Sequence, residues 1–142
     1  MDVRTIFVCG HRNPDCDSVM SAYALADDGS LHSWGGAANG RLGNNTTSGD
    51  QVTPGAIVAT GALAGKTIVQ IASAQGSGSA YALDSAGAVY GWGLNTNGRL
   101  GDGTTTQRST PVLAAGALTG KQITQIAAGS VAGYAVDAAG VL

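Results

Sequence analysis

Three side chains with metal-ligating chemistry crowd into nine residues near the start of the chain: His11, Asp15 and Asp17 in GHRNPDCDS. Asp15 and Asp17 stand two apart in a turn begun by Pro14, so both carboxylates can converge on one cation, and a nitrogen and oxygen donor mix suits manganese or a similar divalent metal. The alternative for all three is a solvated polar loop in which an aspartate caps a turn or a helix start. Cys9 and Cys16 lie seven apart without a CxxC partner and read as free thiols rather than zinc ligands or a disulfide framework. His32 stands alone in a strand-like stretch, and neither histidine has the surroundings of a Ser-His-Asp nucleophile. AQGSGSA at 74–80 lacks the Lys-Ser/Thr ending of a phosphate loop and reads as a connection between strands.

The stretch TIFVCGHRNPDCDSVMSAYALA resembles the opening of family II inorganic pyrophosphatases and the wider DHH phosphoesterases. There a first strand ends in G-H-x-N-P-D-x-D-S and its loop serves a two-metal centre, so the resemblance implies a metal role for His11, Asp15 and Asp17 and a metal-activated water that attacks phosphorus. It covers residues 1–21 only. The family's remaining ligands include an Asp-His-His motif that this sequence does not contain.

A frame for such a loop must come from the rest of the chain, and there the sequence repeats. AYALADDGSLHSWG at 22–35 returns as AYALDSAGAVYGWG at 80–93, and GGAANGRLG at 35–43 as GLNTNGRLG at 93–101. The period is 58 residues, a spacing that signals a repeat architecture before any one residue is interpreted. GALAGKTIVQIAS at 61–73 and GALTGKQITQIAA at 116–128 recur at 55, and a third copy opens as AGYAVDAAGVL at 132–142.

Within each copy the pattern predicts strands. YALA and SLHSW flank Asp27-Asp28-Gly29, and YALD and AVYGW flank Ser85-Ala86-Gly87, each as a hairpin. Short strands are expected to begin at Pro54 and Pro111, where a missing N–H costs little at a sheet edge. IVQIA and ITQIA read as buried inner strands. Trp34 and Trp92 recur at one repeat position, as packing residues do, and Arg41 and Arg99 recur as structural donors to loop carbonyls between repeats.

Four strands per repeat is the grammar of a β-propeller blade. The inner IxxIAxG strand, the A-Y-A-L hairpin ending in W-G, the N-G-R-L-G turn and the T-P strand together resemble the regulator of chromosome condensation repeat family. Members form circular propellers, usually of seven blades, that act as interaction platforms and in some cases as guanine nucleotide exchange factors. A histidine common before the A-L strand is replaced here by Ser21, Ser79 and Ala132.

The expected fold is therefore all-β: an incomplete propeller of about two four-stranded blades over 22–142, with repeats near 22–79 and 80–131 and a partial one at 132–142. Residues 1–21 add a strand, IFVC, and the pyrophosphatase-like loop, with a helical turn at 17–20. Two blades do not close a ring, so open edges favour self-association or a protein partner, and the combination of two family signatures suggests a fragment or a chimera.

Composition narrows the rest. Charged residues are 11% of the chain, glutamate is absent, and the seven basic residues are scattered at a net charge of −2. Binding to nucleic acid by phosphate neutralisation is not expected. No apolar run reaches a membrane span and MDVRTIFVCG lacks the core of a secretory signal, so no address is visible. The expected function is a non-catalytic binding or scaffold module presenting residues 36–50 and 94–109. The alternative is a manganese-dependent phosphohydrolase of the inorganic pyrophosphatase type, and no other cofactor is expected.

Overall fold

The computed structural model describes residues 21–74 and 76–140. The strand IFVC, the turn at 17–20 and the loop bearing His11, Asp15 and Asp17 lie outside the described residues. Among the described residues, nine strands form three antiparallel sheets in chain order. β1 (Ser21–Leu25), β2 (Leu31–Gly35) and β3 (Gln51–Ala56) make the first. β4 (Ile68–Ser73), β5 (Ser79–Asp84), β6 (Val89–Gly93) and β7 (Arg108–Leu113) make a full four-stranded blade, and β8 (Ile123–Ala128) pairs with β9 (Gly133–Asp137). No α-helix occurs among the described residues; four single 3-10 turns punctuate the loops.

The hairpins form where Gly and Asp chemistry demands. Gly29 and Gly87 take φ of +80° and +84° at the reversals, a region open to glycine at little cost. Asp28 Oδ1 accepts the Ser30 N–H at 2.9 Å in the first turn, while Asp84 Oδ1 accepts the Ala86 and Ala88 N–H groups at 3.0 and 2.8 Å in the second. Each turn glycine abuts the start of the next inner strand, and Gly87 O accepts the Ile123 N–H at 3.1 Å.

The middle sheet explains why β5 and β6 are buried throughout: it has a neighbour on both faces. Period-two alternation divides their side chains between two seams. Ala80 lies opposite Trp92 and Ala82 opposite Tyr90 on the face toward β1–β3; Tyr81 lies opposite Gly91 and Leu83 opposite Val89 on the face toward β8–β9. Small residues paired with aromatic ones let the sheets approach closely while filling the space between them.

Two expectations are corrected. The proline strands begin three residues before Pro54 and Pro111, and both prolines sit inside an outermost strand where the ladder skips a residue, between Ser33 and Gly35 and between Gly91 and Gly93. There the absent N–H breaks no ladder bond. The IVQIA and ITQIA strands are only half buried: Ile68, Ile71, Ile123 and Ile126 point into the seams, whereas Val69 is 48% exposed and Thr124 and Gln125 face solvent. Among the described residues, β8 has a neighbouring sheet on one face only, and β4, which lies between β1 and β8, meets β8 partly through the polar Gln70.

Candidate functional site

Among the described residues, no three His, Cys, Asp or Glu side chains gather as a metal site. His32 lies on β2, half buried, with Nε2 3.2 Å from Ser30 Oγ. The chemistry of the described chain is instead the ordering of loops, and it is concentrated between β6 and β7.

Residues 103–107 of that loop are all exposed, yet a buried polar cluster holds its base. Asn95, fully buried, accepts the Leu100 N–H on Oδ1 at 2.9 Å. Its amide donates to Asp102 Oδ1 at 3.0 Å and to the Thr104 and Thr106 carbonyls at 3.1 and 2.9 Å. Asp102 Oδ2 receives Arg108 Nε at 2.7 Å, and the Thr104 N–H and hydroxyl donate to Oδ1 at 3.0 and 2.9 Å. Burial alone would raise the Asp102 pKa, but the hydrogen bonds from Arg108, Thr104 and Asn95 outweigh it and hold the carboxyl at about 2.

The corresponding loop of the first sheet is built on neutral partners. Ala37 stands where Asn95 does, and Asn44 with Gln51, at 2.8 Å, replaces the Asp102–Arg108 ion pair. Neither polar set was legible as a site in advance; the signal was the change from Ala37 to Asn95, one of three adjacent differences (36–38 against 94–96) ahead of the shared NGRLG.

Of the two recurring arginines, Arg99 ties neighbouring loops together, while Arg41 Nε donates to Ala38 O within its own turn at 2.9 Å. Arg99 donates from Nη1 to the carbonyls of Ser77, in its own blade, and Ser130, between β8 and β9, at 3.0 and 3.1 Å. Ser79, at the position where the resemblance expects histidine, donates its hydroxyl to Leu94 O at 2.6 Å and supplies a different local tie. Gln70, which no motif singled out, spans two inner strands: its amide donates to Ile126 O at 2.8 Å and its carbonyl accepts the Ile126 N–H at 3.0 Å.

Trp92 is a packing residue, fully buried across the first seam. Its ring meets Tyr23 edge-on at 6.2 Å, and Nε1 donates at 2.9 Å to Arg41 O, which also accepts the Tyr23 hydroxyl at 2.6 Å. Tyr81 repeats the second bond on Arg99 O at 2.8 Å. Burial raises the Tyr81 pKa, with the Arg99 charge opposing it, and burial with the Asp84 carboxylate pushes Tyr90 up to about 12. Tyr81 and Tyr90 therefore stay protonated donors near neutrality.

Four consecutive antiparallel strands, stacked face to face on like sheets through a tryptophan, define a propeller-blade module. The chain carries repeats of the regulator of chromosome condensation (RCC1) family: two models of that repeat match, over residues 86–133 and 68–99. Human E3 ubiquitin-protein ligase HERC2 is 37% identical over 107 residues, 75% of this chain but 2% of that protein. Among solved structures, human WBSCR16 superposes with a TM-score of 0.73 at 24% identity, covering 90% of this chain and 33% of its own. Yeast RCC1 (Prp20) bound to Kap60 gives 0.65 at 27% identity, covering 84% and 28%. The chain thus spans about a third or less of the proteins it resembles, and both family-model matches lie C-terminal of residues 1–21.

Proposed function

We propose that this chain is a non-catalytic protein-binding module whose contact face is formed by the loops at 36–50 and 94–109. The observation that carries the reading is the construction of the second loop: an exposed tip on a base fixed by Asn95, Asp102 and Arg108. A loop ordered before contact loses little conformational freedom on binding, and exposed loops on a rigid sheet scaffold are common seats of recognition. The yeast RCC1 structure, solved with Kap60 bound, supports a protein as the class of partner. A photo-crosslinking residue at Thr105, on the tip, should capture a discrete protein from an extract of the source cells, and the same residue at Ala64, exposed on another loop, should not. Equal capture from both positions, or none from either, would sink the reading.

The metal-dependent phosphohydrolase alternative stands on GHRNPDCDS and on the roles proposed there for His11, Asp15 and Asp17. Manganese-dependent hydrolysis of pyrophosphate that disappears in His11→Ala would favour it over the binding module.

A further inference from the structure

The first loop of the contact face rests on the strand that fixes the second. Its 3-10 turn, Ala38–Gly40, packs against β7, and Gly40 lies so close that a methyl there would come within 2.6 Å of Ser109 Cα and 2.7 Å of Arg108 O. Further along the same loop the Asn45 N–H donates to Ser109 O at 2.9 Å, and the Ser109 hydroxyl donates to Asn45 Oδ1 at 3.2 Å. Gly40 and Asn45 thus grip the start of β7 from two points of one loop.

Arg108 opens β7 and faces Gly93 across the ladder. Its backbone meets Gly40, while its guanidinium serves the second loop: Nε donates to Asp102 Oδ2 at 2.7 Å and Nη2 to Thr104 Oγ1 at 3.3 Å. From Asp102 the bonds continue to Asn95 and Thr104, and from Asn95 to the buried Leu100 N–H. A contiguous set of contacts therefore runs from the first loop, through Arg108 and Ser109, to the base of the second, as coupling between two sites requires. The first loop has use for such a support, since Ala37, at the position of Asn95, has no polar group to offer its base.

We propose that the two loops form one coupled surface across the boundary between the first and middle sheets, on which a single protein partner touches both tips and seating on the first loop orders the second. This rests on the loop-face reading above and adds its regulation. A partner that presses the first loop onto β7 holds Arg108 where Asp102 requires it, so less conformational freedom remains to be lost at the second loop. Coupling of this kind is reciprocal, and loosening either loop loosens the other.

Hydrogen exchange on the intact chain tests the coupling without a partner, so its failure is separable from failure of the crosslink at Thr105. Gly40→Ala, whose methyl drives the first loop off β7, should speed exchange of the Leu100 amide by about fivefold or more relative to the Ala82 amide in β5, which reports opening of the sheet itself. Gly49→Ala is the control: it lies in the first loop at φ +80°, but its methyl would meet nothing within 4 Å, so Leu100 should exchange as before. Conversely, Asp102→Asn should speed the Asn45 amide by a comparable factor. Should the Gly40 variant fail to fold, Ser109→Ala, which removes only the hydroxyl bond to Asn45, should give a smaller acceleration at Leu100 in the same sense. The crosslinking residue placed at Thr47, exposed on the first loop, should capture the protein captured at Thr105. Leu100 exchange unchanged relative to Ala82, equal acceleration in Gly49→Ala, an Asn45 amide indifferent to Asp102→Asn, or a different protein at each tip would each overturn the proposal.

Discussion

The seam between the first and middle sheets and the seam between the middle and third sheets are two versions of one design. In the first, Trp92 and Tyr90 reach across, and Tyr23, Leu42 and Ile57 are almost fully removed from solvent. In the second, Tyr81 and Leu100 are just as buried, but Ala114 replaces Ile57, Leu118 and Ala135 are only partly covered, and Tyr134 lies open. The floor of each seam is thus fixed by the repeat itself. What differs is the aromatic pair from the following sheet, which decides whether the floor becomes a core or a groove.

The largest test of that distinction is Trp92→Ala. A buried tryptophan removed from a core costs about 3–5 kcal/mol, and here the Tyr23 edge contact and the hydrogen bond to Arg41 O go with it. Trp34, at the same repeat position but half buried, should cost less than about 1.5 kcal/mol on the same change. Urea denaturation of both variants is the measurement. Equal losses would mean that repeat position, rather than a seam closed on both sides, determines the contribution.

Next in size is a pair of turn glycines. Gly40 and Gly98 both hold φ near +70°, where any added side chain costs roughly 1–2 kcal/mol of backbone strain. A methyl on Gly40 would also come within 2.6 Å of Ser109 Cα and 2.7 Å of Arg108 O on β7, while one on Gly98 would meet only Thr104 O at 3.5 Å. Gly40→Ala should therefore be the more destabilising by at least about 1 kcal/mol in the same assay, since backbone cannot move aside as a side chain can. A smaller loss at Gly40 than at Gly98 would show that the first loop and β7 are not in close contact in solution.

These contrasts show where the sequence was readable. Strand order, both hairpins and the packing role of Trp92 follow from the period of 58 and from Gly and Asp at the reversals, because local turn chemistry and alternation act within one copy. The proline strands were placed too late, because a bulge that lets Pro54 or Pro111 sit inside a strand depends on the facing strand's spacing. Asn95 and Gln70 were hidden for a similar reason: their partners stand as far as 11 and 56 residues away, and only the replacement of Ala37 by Asn95 between the copies marks either of them.

The loops differ in charge as the seams differ in filling, and pH separates them. Asp102, held at about 2 against an ordinary 3.8, contributes its full stabilisation above the ordinary value and loses it as the pH falls through about 2. The gap amounts to roughly 2 kcal/mol for this buried carboxylate. Asp102→Asn, which copies the neutral residue of the first loop, should lower stability near neutrality by about that amount and flatten the decline of Tm between pH 4 and 2. Asn44→Ala should leave the acid slope as it is. An unchanged slope in Asp102→Asn would mean that the ion pair with Arg108 does not persist in solution.

The smallest expected effect isolates the contact between inner strands. Gln70 and Gln125 hold equivalent positions in IVQIA and ITQIA, but Gln70 binds both the N–H and the carbonyl of Ile126, and Gln125 faces solvent. Removing the first amide leaves two part-buried backbone groups to find other partners, a loss of about 1–2 kcal/mol; removing the second should fall within about 0.5 kcal/mol of no effect. Hydrogen exchange at the Ile126 amide reads the bond directly and should accelerate in Gln70→Ala alone. Unchanged exchange at Ile126 in Gln70→Ala would mean that the amide does not bridge β4 and β8 in solution.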